Sequence, residues 1–290
     1  MYVRKLVHWA FNCLVVILAV LGSFTHSGEA QSAPAGKDET LKYFFATGSE
    51  TVPYRVYTPA GLTAPNPPLV VMFPGGKGDE NKVFDSEPDG LKGVVKRQAD
   101  QHGFVLLSIN AMNGSFGMKF TMPPGKTGAR NTGESAASRA ARSRSKEVRN
   151  PNADAWSEQS ALQIIDKVTG DYHIDRSRIY LMGNSGGEVA AMHFAEKFPE
   201  HRWCAIAPSG GPWVNPAYRW DRLTYLTGML LVHGELDKSG LEPNREIAAK
   251  VRATGVQTTF LLVPGGAHIT AWYMALPQTF EFFDAQPCKQ

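Results

Sequence analysis

The sequence is poor in cysteine and has no strong excess of charge of either sign. Its 290 residues include three cysteines, and 30 lysine and arginine residues against 27 aspartate and glutamate residues give a net charge of +3. Proteins that bind nucleic acid usually carry a strongly basic footprint over the whole domain. The near balance of charge therefore argues against nucleic acid or an acidic membrane as a partner. With 43% hydrophobic residues, the composition also excludes long disorder.

Residues 1–30 contain no unbroken apolar run of about 20 residues, the length that a transmembrane helix needs. They have the features of a secretory signal peptide: two basic residues, an apolar core at residues 14–21, and the small residues Gly28 and Ala30 for cleavage. We expect a secreted or periplasmic protein, with no stable membrane insertion after cleavage. A retained membrane anchor is the alternative interpretation.

Cleavage of the signal would remove Cys13 and leave Cys204 and Cys288. Neither has a histidine at the spacing of a Cys/His zinc site, so a metal site of that kind is not expected. In an oxidising compartment the two cysteines can form a disulfide. A buried free Cys204 and an exposed Cys288 are equally compatible with the sequence.

After a flexible leader at residues 31–40, apolar strand patterns alternate with segments that can hold helices, and no internal repeat is present. Continuous apolar runs suit strands that are covered on both faces. Residues 41–290 therefore predict one α/β domain with a mostly parallel central sheet flanked by helices. The predicted strands are 41–46, 52–57, 69–73, 104–109, 179–182, 204–207, 229–232 and 258–263.

One long segment, residues 111–155, interrupts this alternation. It is rich in glycine, serine, asparagine and basic residues and shows no strand pattern. A loop of this length in a compact domain is either functional or mobile. We interpret it as a loop insertion, either a solvated surface excursion or a lid that contacts substrate.

The motif G-x-S-x-G occurs at residues 183–187, between a predicted strand and a predicted helix. A serine at the tip of so tight a turn has a strained backbone, and glycines two residues before and after it remove side chains that would collide. The turn lifts the hydroxyl above the sheet and directs the next amide, that of Gly186, toward the same point. The pattern predicts Ser185 as a nucleophile and Gly186 as an oxyanion donor.

A serine nucleophile needs a base and an acid that orients it. Asp237 follows the predicted strand at 229–232, with Glu235 as its nearest rival. Among the eight histidines, His268 follows the last predicted strand through a Pro-Gly-Gly-Ala turn. Because the carboxyl ends of parallel strands meet at one edge, we expect Ser185, Asp237 and His268 to form a catalytic triad.

A second oxyanion donor is expected from the glycine-rich loop after the third strand, and Gly76 is the predicted residue. Glycine-rich loops also bind phosphate. However, the chain has no G-x-x-x-x-G-K-[ST] motif, and this loop leads into the acidic pair Asp79 and Glu80.

The motifs resemble those of secreted α/β-hydrolases in the polyhydroxybutyrate depolymerase and feruloyl or acetylxylan esterase group, and the final third is also similar to dienelactone-hydrolase-like enzymes. The resemblance runs from residue 41 to residue 283. Pro74-Gly75 stands where many members have His-Gly, and Glu188 stands where many have a further glycine. The most specific matches are residues 175–187, 233–237 and 264–268.

The sequence and this resemblance together predict an α/β-hydrolase fold and an exported serine esterase that works without a metal or organic cofactor. The expected substrate is a small or oligomeric ester, with an aryl, acetyl or hydroxyalkanoate group. A peptidase or thioesterase could use the same three residues. A non-catalytic binding protein that kept the fold is the alternative from another functional class.

Overall fold

The computed structural model describes residues 36–76, 79–109, 153–211 and 218–289. The predicted signal segment and nearly all of the predicted insertion at residues 111–155 lie outside these ranges. The described residues form one eight-stranded sheet, ordered β1-β2-β4-β3-β5-β6-β7-β8. The strands are β1 (Lys37–Phe45), β2 (Glu50–Thr58), β3 (Leu69–Phe73), β4 (Val105–Ile109), β5 (Ile179–Asn184), β6 (Ala205–Ser209), β7 (Gly228–Gly234) and β8 (Gln257–Val263).

The sheet is parallel from β4 to β8, while β1 and β2 are antiparallel additions at one edge. Every residue of β3 to β7 is buried, as expected for strands covered on both faces. The exposure of β1 and β2 alternates instead, since one face of this edge meets solvent. The predicted mostly parallel α/β architecture is confirmed.

Helices cover both faces of the sheet. Ile164, Phe194 and Ile247 belong to the apolar core on one face, and Val95, Trp272 and Phe283 belong to the core on the other. Among the described helices, none is long and apolar enough to cross a membrane. The α-helices are α1 (Lys82–Asp85), α2 (Val94–His102), α3 (Ala153–Asp171), α4 (Gly186–Lys197), α5 (Leu241–Ala253), α6 (Thr270–Met274) and α7 (Leu276–Asp284).

Two predicted boundaries are wrong. Residues 37–40 are not part of a flexible leader but the start of β1, because that strand pairs with β2 over its whole length, from Lys37 opposite Thr58 to Phe45 opposite Glu50. At the other boundary, α3 begins at Ala153, so the predicted insertion runs too far by three residues.

Cys204 and Cys288 form a disulfide, the pairing that the sequence left open. Cys204 lies just before β6, and Cys288 follows the last helix. The bond therefore attaches the C-terminal segment to the amino end of β6, whereas the site residues lie at the carboxyl ends of the strands.

Candidate active site

Ser185 lies alone between the end of β5 and the start of α4, with φ 59° and ψ −115°. A positive φ is uncommon for a residue other than glycine and marks local backbone strain. A side chain at Gly183 would place its Cβ 2.3 Å from the carbonyl oxygen of Gly187, and one at Gly187 would meet the carbonyl oxygen of Phe73 at 1.9 Å. The two glycines are therefore required by close backbone approach, as the motif predicts.

His268 lies in the turn after β8, and its Nδ1 is 2.5 Å from Asp237 Oδ2. The other carboxylate oxygen of Asp237 accepts hydrogen bonds from the hydroxyl of Ser239 at 2.6 Å and from its amide at 3.1 Å. Burial on its own would raise the pKa of Asp237, but the hydrogen bonds from Ser239 and His268 outweigh it and hold the pKa below its usual value. The carboxylate is thus ionised at neutral pH and faces the imidazole.

Glu235, the rival acid in the sequence, has a different partner. Its Oε2 accepts a hydrogen bond from the amide of Gly265 at 2.9 Å. This contact braces the turn that leads to His268. The carboxylate that contacts the imidazole is that of Asp237.

His233 supports Asp237 from below and was not singled out by the sequence. It is fully buried at the end of β7, where its Nε2 is 2.8 Å from the carbonyl oxygen of Asp237. The side-chain amide of Asn244 donates to its Nδ1 at 2.9 Å. A carbonyl oxygen only accepts, so Nε2 of His233 donates the hydrogen bond to Asp237 and fixes the backbone of the acid turn.

Asn184 connects three of the strand ends at the site. Its side-chain amide donates to the carbonyl oxygen of His268 at 3.1 Å and to that of Ser209 at 3.3 Å. Asn184, the residue before Ser185, therefore holds the histidine turn in place through the backbone carbonyl of His268. Its position within the motif was visible in the sequence, but its partner 84 residues away was not.

Glu188, in the first turn of α4, is a buried carboxyl group beside the nucleophile turn. Its side chain is 1% exposed and accepts a 2.5 Å hydrogen bond from the amide of Gly211. Burial raises the pKa of Glu188 well above its usual value, the amide of Gly211 opposes this, and the charge of Asp237 adds to it. Through this hydrogen bond the buried carboxyl group of Glu188 fixes the turn after β6.

The backbone amides of Gly76 and Gly186 lie close to Ser185. Gly186 is the first residue of α4, where an amide has no partner within the helix. A Cβ on Gly186 would be 3.1 Å from the amide nitrogen of Gly76, so the two backbones are close neighbours. Neither amide donates to any residue within the described part of the chain. The two residues predicted as oxyanion donors are thus brought together.

A cavity of about 170 Å³ opens at this point. Ser185 and His268 both line it, although no hydrogen bond joins their side chains in the described ranges. Its wall is mainly apolar and aromatic. The other lining residues are Phe73, Pro74, Gly75, Gly76, Lys82, Val83, Ser86, Asn184, Ile269, Trp272 and Tyr273.

Residues 36–76, 79–109, 153–211 and 218–289 contain no group of three or more histidine, cysteine, aspartate or glutamate side chains that could hold a metal ion. The site holds a serine and a histidine that line one cavity, an ionised carboxylate paired with the histidine, and two amides near the serine that have no partner among the described residues. This set can activate a hydroxyl and stabilise an oxyanion.

Comparison with protein-family profiles and with curated protein sequences gave no match. Solved structures are similar in fold. An S-formylglutathione hydrolase from Agrobacterium tumefaciens is 14% identical with a TM-score of 0.63, over 87% of this chain and 96% of that one. The fluorophosphonate-binding serine hydrolase F of Staphylococcus aureus is 13% identical with a TM-score of 0.61, over 86% and 99%.

A ferulic acid esterase is 15% identical with a TM-score of 0.60, over 86% of this chain and 98% of that chain. Identities this low carry the fold and not the activity. Together with the sheet order and the serine turn between β5 and α4, these likenesses show that the chain has the α/β-hydrolase fold.

Proposed function

We propose that this protein is a serine esterase in which Ser185 is the nucleophile, His268 the general base and Asp237 the acid that orients it. One observation carries the proposal: the strained backbone of Ser185 and the hydrogen-bonded pair of His268 and Asp237 meet at one cavity. A nucleophile at the tip of a strand-to-helix turn and an imidazole oriented by a carboxylate are the groups that acyl transfer by a serine requires.

In the proposed reaction, Ser185 Oγ attacks the ester carbonyl while His268 Nε2 takes the hydroxyl proton. The carbonyl oxygen becomes an oxyanion, to which the amides of Gly76 and Gly186 donate. The imidazolium then gives the proton to the leaving alcohol, and water hydrolyses the acyl-enzyme by the same steps. The contact between serine and imidazole tightens as substrate binds, as in other enzymes of this kind.

The size and lining of the cavity favour a small apolar acyl group. A cavity of about 150 Å³ accommodates one benzene ring, and this one is of similar volume with Phe73, Trp272 and Tyr273 in its wall. We therefore propose an aryl ester as substrate ahead of an acetyl or hydroxyalkanoate ester. The signal-like residues 1–30 support export, and the motif resemblance supports kinship with secreted polyhydroxybutyrate depolymerases and feruloyl esterases.

Reaction with a fluorophosphonate probe tests the proposal, because such probes phosphonylate activated serines. We expect labelling of the folded protein at Ser185, found by mass spectrometry of the modified peptide. Ser185→Ala should abolish labelling and lower the rate on p-nitrophenyl esters on the order of a million-fold. The exchange is small, so the fold should be kept.

Ser86 offers the matched control, since its side chain lines the same cavity. Ser86→Ala should retain labelling and activity. An unlabelled wild-type protein would favour a non-catalytic binding role, and retained activity in Ser185→Ala would place the nucleophile elsewhere. A panel of aryl esters, acetyl esters, hydroxybutyrate oligomers, thioesters and peptides then ranks the substrate classes.

A further inference from the structure

The side chain of Lys82 reaches the loop that carries one of the two free amides. Lys82 begins the one-turn helix α1, lines the cavity and donates from Nζ to the carbonyl oxygen of Gly75 at 2.7 Å. Its Nζ is also 3.5 Å from the position that a Cβ on Gly76 would take. The ammonium group thus contacts the peptide unit that joins Gly75 to Gly76.

That peptide unit has two functional ends. A trans peptide is planar, and its C=O and N–H bonds point in opposite directions. No cis peptide bond occurs in the described residues. A hydrogen bond that holds the carbonyl oxygen of Gly75 therefore also sets the direction of the N–H of Gly76.

The local sequence does not fix this direction by itself. Gly75 and Gly76 are both glycines, which adopt the widest range of backbone angles, and Gly76 has φ +64°. A side chain at Gly75 would place a Cβ 2.6 Å from the carbonyl oxygen of Asn184, so glycine is required there for space. A Gly-Gly peptide can rotate to turn its N–H away from the site unless another group holds it.

Within the described ranges, no carboxylate draws the charge of Lys82 away from the Gly75 carbonyl. No salt bridge to Lys82 is formed among the described residues, and nearby Asp85 pairs with Arg55 at 2.9 Å. A charged donor on a carbonyl oxygen makes a stronger hydrogen bond than a neutral one. It also withdraws electron density from the amide, which makes the N–H at the other end a better donor.

We propose that Lys82 is a positioning residue for the oxyanion hole: it holds the Gly75–Gly76 peptide so that the N–H of Gly76 faces the developing oxyanion, and its charge strengthens that N–H as a donor. This inference rests on the proposed esterase function. Lys82 acts through the peptide and not on the substrate, so its effect should not depend on the charge of the ester.

Lys82→Met removes the ammonium group and keeps the length of the side chain. We expect kcat on neutral p-nitrophenyl acetate to fall about 10- to 100-fold with little change in KM, less than the loss typical of deleting an oxyanion donor. Affinity for a trifluoromethyl ketone, which forms a hemiketal oxyanion with the serine, should fall by the same factor. Lys82→Arg keeps a charged donor and should restore most of both quantities.

Lys289→Met is the matched control, because Lys289 also donates from Nζ to a backbone carbonyl, that of Thr224 at 2.8 Å, far from the cavity. It should change neither quantity. Unchanged kcat and ketone affinity in Lys82→Met would overturn the inference, as would a loss confined to esters with a free carboxylate, which would instead make Lys82 an anion-binding residue.

The wild-type protein separates this inference from the proposed function. If fluorophosphonate fails to label Ser185 in the wild type, the esterase proposal fails and the inference falls with it. If the wild type is labelled and active while Lys82→Met retains its full kcat, only the inference is overturned. If Lys82→Met does not fold, Lys82→Arg becomes the test. A loss of kcat in Lys82→Arg without a matching loss of ketone affinity would also overturn the inference.

Discussion

The hydrogen bond between His268 Nδ1 and Asp237 Oδ2 determines which tautomer of the imidazole is present. A carboxylate is an acceptor only, so Nδ1 carries a proton, and the neutral form of this imidazole has its free lone pair on Nε2. Two further hydrogen bonds hold Asp237 itself. Ser239 donates to its Oδ1, and His233 Nε2 donates to its backbone carbonyl oxygen. Each contact restricts the imidazole to the orientation that the proposed proton transfer requires.

Replacing Asp237 with asparagine tests this orientation. The amide of asparagine donates where the carboxylate accepts, so the imidazole should turn to the tautomer protonated on Nε2 and lose its basic nitrogen. We expect kcat on a p-nitrophenyl ester to fall roughly ten-thousand-fold. Glu235→Gln is the control and should stay active, because glutamine can still accept the hydrogen bond from the amide of Gly265. Reversed results for the two variants would make Glu235 the acid.

The three residues proposed as the triad could be found from the sequence because each follows a recognisable strand. The residues that hold them could not. Asn184 contacts the carbonyl of His268 across 84 residues, and Lys82 contacts a carbonyl whose orientation no sequence pattern records. His233 lies beside Asp237 in the chain, yet its role depends on Asn244. Such partners are set by three-dimensional packing, which local patterns do not encode.

At the scale of elements, the turn from β5 to α4 is packed against β3 with no space to spare. Gly187→Ala would place a methyl group 1.9 Å from the carbonyl oxygen of Phe73, and a backbone atom cannot rotate away as a side chain can. The helix must move, which should cost about 1–3 kcal/mol or more of the free energy of unfolding. Ser185 and Gly186 would move with it, so activity should fall even where the variant is fully folded.

Gly170→Ala is the control for this exchange. Gly170 lies in α3, and a Cβ there would meet nothing within 4 Å. It should leave activity unchanged and raise the free energy of unfolding by up to about 1 kcal/mol, the helix propensity of alanine over glycine. Urea denaturation and esterase assays on both variants measure the two effects. Full activity in Gly187→Ala would contradict the close packing of this turn.

The bounds of the interior strand β3 were predictable and the start of the edge strand β1 was not, for one physical reason. β3 is buried on both faces, so its apolar run marks its bounds, and the predicted and observed strands both span residues 69–73. β1 is half exposed, and its first residues are polar, so composition hides the strand that pairing with β2 creates. The sequence pattern reports burial, whereas edge strands are set by hydrogen bonding.

At the scale of the whole molecule, the buried carboxyl group of Glu188 changes how the free energy of unfolding depends on pH. Burial, opposed by the amide of Gly211 and helped by the charge of Asp237, raises the pKa of Glu188 in the folded chain. In the unfolded chain the same group loses its proton near its usual pKa of about 4.3. Above that pH the folded state binds more protons than the unfolded state, so the free energy of unfolding falls as pH rises toward the folded pKa.

Glu188→Gln removes this titration while glutamine can still accept the hydrogen bond from Gly211. We expect the variant and the wild type to be similarly stable near pH 4. As pH rises, the variant should become more stable than the wild type, by up to about 1.4 kcal/mol per pH unit until the folded pKa of Glu188 is reached. Denaturation curves from about pH 3 to pH 8 measure the difference. Glu158→Gln should give the opposite sign. Burial on its own would raise the pKa of Glu158, but its hydrogen bonds with His193 and Lys197 lower it overall. The wild type therefore gains stability as pH rises to about 4.3, and the variant should lack that gain. A difference for Glu188→Gln that does not grow above pH 5 would mean that the carboxyl group beneath the nucleophile turn is ionised in the folded protein.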